Sequence, residues 1–542
     1  MLFRSKAIHA DPKEIRKIFS EKYIIPDFQR PYSWEKEQCD KLWEDLIDFY
    51  ENQSSKDDKY FLGNIVIHPL GDAFSVIDGQ QRLTTLLLLI KAFHSKAGTA
   101  VVLEECLRIK DPLTSKLTNE LRLDSHVIED DKKNLYDIVF NNGDNTSDCH
   151  LKSNYVDLCQ KIDEWWKLNE YSAVRLNSLI LCFLDQIVLL PIHCGSEDDA
   201  LTIFETINNR GMSLTDADIF KAKLHHASGN SKDEFVKEWK SLEDHEWLFR
   251  ILMHIFRAKE GDSTKEIGLR AYFTNSTKNR FSDWKSVMNS LKLIYDIEQN
   301  WAPNAQINIL WNILYTYPNY YWNFPLYVFL HKYGDFDGES FELPEERNDE
   351  FLQLLEFTVK YFFVKGVVYN SVNYVKDAVF KTCVAIEAEK DYLEEYSKVS
   401  KEDIISFNQR IKNKQYGRYL RGLVLLAAYL NPKQNMDDFD DFLIETHHIE
   451  HILPKKWNNY DGWNEETWSN DLNSLGNLIP LEYRLNINAK NEFFNRKKDY
   501  YRDSKVQDAL DLLSLNDWNP SILHQIQDEK EKRLESFFTF NK

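Results

Sequence analysis

Apolar residues fall into two rhythms along the chain. Short runs rich in β-branched and aromatic residues, Tyr60 to His68, Phe74 to Ile77 and Ile187 to Ile192, predict strands. Elsewhere the spacing is helical. Leu83 to Phe93 predicts a helix straight after the turn Asp78-Gly79-Gln80-Gln81-Arg82, and Trp247 to Leu252 and Phe351 to Val364 carry aromatics at helical intervals. Tyr419 to Leu430 predicts an apolar helix that stops at Asn431-Pro432, because the residue before a proline is steered away from helical geometry. The fold class expected is α+β and mostly helical.

Three blocks follow from the same pattern. Residues 1–226 mix strands with amphipathic helices and end at the linker signal Ala227-Ser228-Gly229-Asn230-Ser231. Residues 227–400 read as a helical spacer, interrupted by an acidic loop from Gly334 to Asp349. Residues 401–542 hold the apolar helix, an acidic turn Asp437-Asp438-Phe439-Asp440-Asp441 and a histidine-rich segment. No internal repeat is visible, and only Asn141 to Asp148 is compositionally simple. A length of 542 residues exceeds one ordinary core, so several domains are expected.

Composition narrows the class. With 43% hydrophobic, 14% aromatic and 28% charged residues the chain is globular. The best candidate for a membrane span, around Leu83 to Ile90, is too short to cross a bilayer, so no membrane association is expected. Met1 to Lys6 leads into charged residues rather than an apolar signal segment. Seven scattered cysteines without a CxxC point away from a disulfide framework or a cysteine zinc site, and so to the cytoplasm. A net charge of −20 argues against a protein that coats nucleic acid. Two local basic clusters remain: Arg410, Lys412, Lys414, Arg418 and Arg421, then Arg484, Lys490, Arg496, Lys497, Lys498 and Arg502. Either alone reads as a solvated helix face. Flanking the histidine segment on both sides, they favour contact with DNA.

Two constellations carry candidate chemistry. At the first, a strand ending at Ile77 and a helix starting near Leu83 aim backbone N–H groups at the intervening turn, where the helix dipole favours an anion. Arg82 is a bidentate phosphate donor, Asp78 could hold a metal or position a water, and Gly79 permits a positive φ. The plain alternative is a tight turn in which Asp78 caps the helix and Arg82 pairs with an acid. Tyr32 and Trp34 read as core aromatics, with a base-stacking surface as the alternative. At the second, His448-Ile449-Glu450-His451-Ile452-Leu453-Pro454 is followed by Leu475-Gly476-Asn477-Leu478, with Asn486 nine residues after Asn477. Carboxylate, imidazole and amide groups of this kind suit metal-assisted cleavage of a phosphodiester. In a regular strand Glu450 and His451 point to opposite faces, whereas His448 and Glu450 share one.

The ordered set resembles the HNH (ββα-metal) nucleases as carried by GmrSD-type restriction endonucleases. The resemblance extends to the N-terminal half. Phe28-Gln29-Arg30-Pro31-Tyr32-Ser33-Trp34, Phe61-Leu62-Gly63-Asn64-Ile65, Asp78-Gly79-Gln80-Gln81-Arg82, and Ile203 to Gly211 with Leu214, look like the ordered blocks of that family's ParB/sulfiredoxin-like domain. That family's domain is associated with nucleotide binding and hydrolysis and with sensing modified DNA. Carried over, the resemblance implies a nucleotide site at Gln29, Arg30, Asp78, Gly79, Gln80, Gln81 and Arg82, with Asn208 and Arg210 as weaker candidates. No P-loop is present, so such a site is not of Walker type.

For the C-terminal set it implies His451 as general base, Asn477 as its orienting partner, and Glu450 and Asn486 as ligands of one Mg²⁺ or Mn²⁺. His448 is a substitute ligand, Lys497 or Lys498 holds the scissile-strand phosphate, and His447 is a bystander. The expected function is a nucleotide-regulated, modification-dependent DNA endonuclease acting against phage, with an NTP of unspecified identity. The rivals are a DNA-modification sensor subunit whose nuclease domain is idle without a partner protein, and an NTPase-driven RNase or toxin. A homodimer or a partner from the same defence system stays open.

Overall fold

The computed structural model describes residues 9–53, 55, 57–97, 100–127, 129–195, 200, 215–274, 278–371 and 373–540. The stretch Ile203 to Gly211 with Leu214, and with it Asn208 and Arg210, lies outside the described residues. The chain divides into two compact units, Met1–Ser241 and Leu242–Lys542, and is α+β and mostly helical.

In the first unit seven strands form one mixed sheet. They are β1 (His9–Ala10), β2 (Lys13–Glu14), β3 (Tyr23–Ile25), β4 (Tyr60–Leu70), β5 (Ala73–Asp78), β6 (Leu123–Ser125) and β7 (Ile187–His193). Their spatial order is β1-β7-β4-β5-β3-β6, with β2 also pairing to β7. The pairs β4–β7, β3–β5 and β3–β6 are parallel, while the β4–β5 hairpin is antiparallel. The three strands expected from patterning are β4, β5 and β7, each one or two residues longer than its apolar run.

Immediately after β5 the chain turns at Gly79 and enters helix α1 (Gln80–Ala97). Leu83, Leu86 through Ile90 and Phe93 are all fully buried. An apolar surface on every side makes α1 a core helix rather than a surface one. The linker signal at 227–231 is a single 3₁₀ turn, Gly229–Ser231, joining helices Asp216–Ala227 and Lys232–Lys240 inside this unit. Ser228 is buried there, its hydroxyl donating to the His225 carbonyl.

The second unit holds both the helical middle and the C-terminal residues. Trp247 to Leu252 lies in helix His245–Lys259, and Phe351 to Val364 in helix Asn348–Tyr369. The acidic run Asp437 to Asp441 is not a turn but part of helix Met436–Ile444. Asn435 caps it by accepting from the Asp438 N–H, the acids of the first turn face the positive end of the helix dipole, and Phe439 and Phe442 are buried. The loop from Gly334 contains a small hairpin, Asp335–Phe336 with Phe341–Glu342.

Farther on, β8 (His447–His451) pairs antiparallel with β9 (Leu478–Glu482), His448 opposite Leu481 and His451 opposite Leu478. Helix α2 (Tyr483–Ala489) follows β9 without a break, then α3 (Phe494–Tyr501) and α4 (Pro520–Phe537). No helix among the described residues is long and apolar enough to cross a membrane.

Gly79 adopts φ +91°, and a Cβ there would lie 2.5 Å from Ile65 Cγ2 on the neighbouring strand. Gly79→Ala therefore combines a disfavoured backbone conformation with overpacking against β4. It is expected to lower stability by about 2–4 kcal/mol, read by chemical denaturation. An unchanged midpoint would contradict the placement.

Candidate functional site

The N-terminal candidates divide between two surroundings. Gln29 is buried and donates through Nε2 to the Ile77 carbonyl at 2.9 Å, tying the 28–34 segment to the end of β5. Gln81 clamps the same segment: its Oε1 accepts from Ser33 N at 2.8 Å and Trp34 N at 3.3 Å, and its Nε2 donates to the Pro31 carbonyl at 3.0 Å. These two side chains build the scaffold. Tyr32 is core, its hydroxyl bonded to Thr85 Oγ1 at 2.8 Å and to Asn154 Nδ2 at 3.0 Å. Trp34 is half-buried against the same core.

Asp78, Arg82 and Arg30 form the charged part. Burial raises the Asp78 carboxyl, opposed by the Gly79 backbone N–H and by the positive charges of Arg82 and Arg30. Arg82 donates to the Asn64 carbonyl at 2.6 Å, and its guanidinium lies where a side chain at Gly63 would stand. It makes no ion pair with an acid within 4 Å among the described residues. Two arginines around one carboxylate, beside the N-terminus of an 18-residue helix, leave excess positive potential for an anion. Arg30, Gln80 and Gln81 line a recess on the side where Asp131 and Ser125 stand; Asp78 and Arg82 are not among its walls.

In the C-terminal unit β8 and β9 set the geometry. His448 and Glu450 are two residues apart on β8. His448 Nδ1 meets Asn486 Nδ2 of α2 at 3.1 Å, and its ring packs edge-on against Tyr483 at 4.9 Å. The expected proximity of Asn486 to β8 is thus made through His448. Glu450 is buried and faces α3. Its Oε1 accepts from Lys497 Nζ at 2.6 Å and from the Tyr501 hydroxyl at 3.1 Å.

Lys497 also donates to the His451 carbonyl at 2.5 Å and is 1% exposed. Burial pushes Glu450 up and Lys497 down, and their mutual attraction opposes both shifts. Lys497 is therefore a buried counter-ion that ties α3 to β8, not a free cation for a phosphate. Lys498 is not one either, since it donates to the Leu515 carbonyl at 2.8 Å.

His451 ends β8 half-exposed. Burial lowers its imidazole to about 4, against an opposing bond from Asn473. Nε2 lies 3.1 Å from Asn473 Oδ1, so the neutral ring carries its proton there and presents Nδ1 as the acceptor. The orienting amide belongs to Asn473, not Asn477. Asn477 is fully buried: its Oδ1 accepts from Leu453 N at 2.6 Å, and its Nδ2 donates to the carbonyls of Leu472 at 2.7 Å and Leu453 at 3.3 Å. It knots the loop that leaves β8 to the turn that enters β9. His447 is held by the Glu445 carbonyl and Phe442, away from this set.

Several members had no motif to announce them. Asn473 carries no sequence signal. Tyr501 is one helical turn beyond Lys497, a spacing that puts both on one face of α3. Of the basic clusters, Lys412 and Lys414 pair with Glu535 and Asp471, and Arg496 pairs with Glu492. Arg484 and Lys490 are exposed without an acidic partner among the described residues, as are Lys455 and Lys456 just after the motif.

The donor set suits a hard cation. Glu450 makes both side-chain bonds through Oε1 and its carboxylate also meets the His451 backbone N–H, while the His448 imidazole meets the Asn486 amide. No group of three His, Cys, Asp or Glu side chains is assembled among the described residues. Such a sparse set fits Mg²⁺ or Mn²⁺, which keep several waters and take phosphate oxygens.

Comparison with protein families returns two matches. The GmrSD restriction endonuclease N-terminal domain matches residues 14–225, and the GmrSD restriction endonuclease C-terminal domain matches residues 398–531. No curated protein matches the chain.

Removing one partner of a buried pair strands the other charge. Lys497→Met is expected to cost about 3–5 kcal/mol in chemical denaturation. The double variant Glu450→Gln with Lys497→Met should recover much of that loss. A double variant no more stable than the single one would contradict the ion-pair account.

Proposed function

Because the chain belongs to the GmrSD restriction endonuclease family, we propose that it is a nucleotide-regulated, modification-dependent DNA endonuclease of anti-phage defence. Residues 401–542 would cut by a one-metal HNH mechanism on a ββα scaffold. Residues 1–226, a ParB/sulfiredoxin-like domain, would sense nucleotide and modified DNA, with the helical residues 227–400 between them. The observation that carries the cutting assignment is the contact of His448 on β8 with Asn486 on α2, on the strand that also bears Glu450 and His451.

His451 is the general base in this reading. Burial keeps its ring neutral, Asn473 holds the Nε2 proton, and Nδ1 accepts a proton from the attacking water. Glu450, His448 and Asn486 would hold a Mg²⁺ or Mn²⁺. When bound, the cation would offset the charge that develops on the scissile phosphate and leaving oxygen. Lys497 keeps Glu450 in place and the β8 end fixed, and Asn477 shapes the loop behind His451. The exposed Arg484, Lys490, Lys455 and Lys456 are positioned in sequence to meet DNA phosphates.

The N-terminal cluster of Arg30, Asp78 and Arg82 at the α1 N-terminus supports nucleotide binding there. Bound nucleotide would act as a population shift between restrained and cutting-competent forms. The Lys497 ammonium already seated on Glu450 also favours a second reading, a sensor subunit whose nuclease is idle until a partner protein arrives.

The test is cleavage of unmodified and hypermodified phage DNA with Mg²⁺ or Mn²⁺, with and without NTPs. Wild type is expected to cut, and His451→Ala to lose at least about 100-fold in rate, the usual worth of a general base. Equal cutting by His451→Ala would overturn the assignment of the base. DNA binding without cutting under every condition would favour the partner-dependent reading. An NTP that changes neither cutting nor DNA affinity would remove the regulatory part.

A further inference from the structure

Nothing in the side chain of Asn473 fixes its own aim at His451. Asn473 is exposed, and its contact with His451 Nε2 at 3.1 Å is its one hydrogen bond among the described residues. A side chain in water samples its rotamers, so its direction is set only where the backbone that carries it is held. On both sides of Asn473 the backbone is held. The Leu472 carbonyl accepts from Asn477 Nδ2 at 2.7 Å. Ser474 is fully buried, and its Oγ and N both donate to the Asp471 carbonyl, at 2.8 and 3.1 Å.

The second of these ties leads to Asp471, the last residue of the helix Glu465–Asp471. Its carboxylate is buried and bound at both oxygens: Oδ1 accepts from Lys414 Nζ at 2.5 Å, and Oδ2 from His524 Nε2 at 3.0 Å. Lys414, two residues past the helix Lys401–Lys412, also donates to the Asn470 carbonyl at 3.0 Å. His524 stands on α4 with an exposed ring. Two separate elements therefore grip the helix end from which the 472–474 turn departs.

A carboxylate at this position is costly. It faces the negative end of the helix dipole, and burial removes its hydration. Stability alone does not call for it, because well-packed apolar groups replace a buried ion pair at little or no loss. What the pair adds is direction. Two charge-assisted or polar bonds, one to each oxygen, fix the helix end in both place and rotation. The residue whose aim depends on that rotation is Asn473, two positions further on.

We propose that Asp471 is a positioning residue for DNA cutting, with Lys414 and His524 as its supports. It holds the turn so that Asn473 accepts from His451 Nε2 and leaves Nδ1 for the attacking water. Asp471 acts through Asn473 and does not touch the substrate. The inference rests on the reading of His451 as general base. It also moves Lys414 from the DNA-facing cluster expected of it to the support of the site.

Nuclear magnetic resonance of the full chain carrying ¹⁵N-labelled histidine reports which ring nitrogen of neutral His451 holds the proton, with His451→Ala assigning the signal. Wild type should show the Nε2–H form. Asn473→Ala and Asp471→Asn should each give a mixture of the two tautomers. In parallel, Asp471→Asn should slow the cutting of phage DNA with Mg²⁺ by about tenfold or more, the usual effect of losing a supporting partner. The double variant Asp471→Asn with Asn473→Ala should be no slower than Asn473→Ala alone, because both act through one contact. A wild-type tautomer in Asp471→Asn, or rate losses that multiply in the double variant, would overturn the proposal and leave Asp471 a residue of stability only. If Asp471→Asn does not fold, His524→Ala, a change at an exposed side chain, keeps the test: it should shift the tautomer the same way, and an unchanged ring overturns the proposal. No cutting by wild type, or equal cutting by His451→Ala, would remove the general-base reading, while the spectra still decide whether Asp471 holds Asn473 on the ring.

Discussion

The geometry of the C-terminal unit depends on a buried turn, Leu475–Asn477, gripped from two sides. From one side Asn477 uses its whole amide on the backbone of Leu453 and Leu472, which fixes where the chain leaves β8 relative to where it enters β9. From the other side, α4 holds the turn. Gln527 Oε1 accepts from Gly476 N at 2.5 Å, and Lys530 donates to the Leu478 carbonyl at 2.7 Å. The contact is close: a Cβ at Gly476 would sit 2.5 Å from the Leu523 carbonyl oxygen. Burying the Lys530 ammonium requires a counter-charge, which Asp508 supplies while also binding Arg533 at 2.7 Å. Burial alone would raise the Asp508 carboxyl, but Lys530 and Arg533 outweigh it and hold it below its usual range.

Against that fixed turn, the alternation of β8 sorts the chemistry. His448 and Glu450 reach α2 and α3, while His451 at the strand end meets Asn473. Lys497 and Tyr501 neutralise and orient Glu450 through Oε1, and the His451 backbone N–H also meets its carboxylate. A carboxylate already shared with an ammonium attracts a metal ion less than a free one does. In the function proposed for the chain, cation binding at Glu450 would therefore be weak and completed by substrate phosphate.

Much of this was legible in the sequence for physical reasons. Period-two and period-3.6 patterning located β4, β5, β7 and α1, because the residues that face a core must be apolar whatever the topology. Adjacent positions on a strand point apart, and Glu450 and His451 on β8 accordingly turn to different partners, Lys497 and Asn473. Long-range pairing was not legible. A histidine and an amide at suitable spacing do not reveal that Asn473 rather than Asn477 reaches the ring, since that depends on how a loop of some twenty residues folds back. The cation run Arg496-Lys497-Lys498 looked alike in sequence, but only Lys497 points inward on α3 to Glu450, a distinction set by helical phase. The acidic run before β8 read as a turn because its charges masked the Phe439 and Phe442 face.

The most direct test of the central claim is Mn²⁺ titration of the full chain followed by electron paramagnetic resonance, comparing wild type with Asn486→Ala and His448→Ala. The account expects weak, saturable binding of one ion in wild type. It expects both variants to lose affinity by about tenfold or more, as removal of one ligand of a sparse site does, with unfolding midpoints little changed. Undiminished Mn²⁺ binding in both variants would contradict the assignment of the cation to the face that β8 and α2 share.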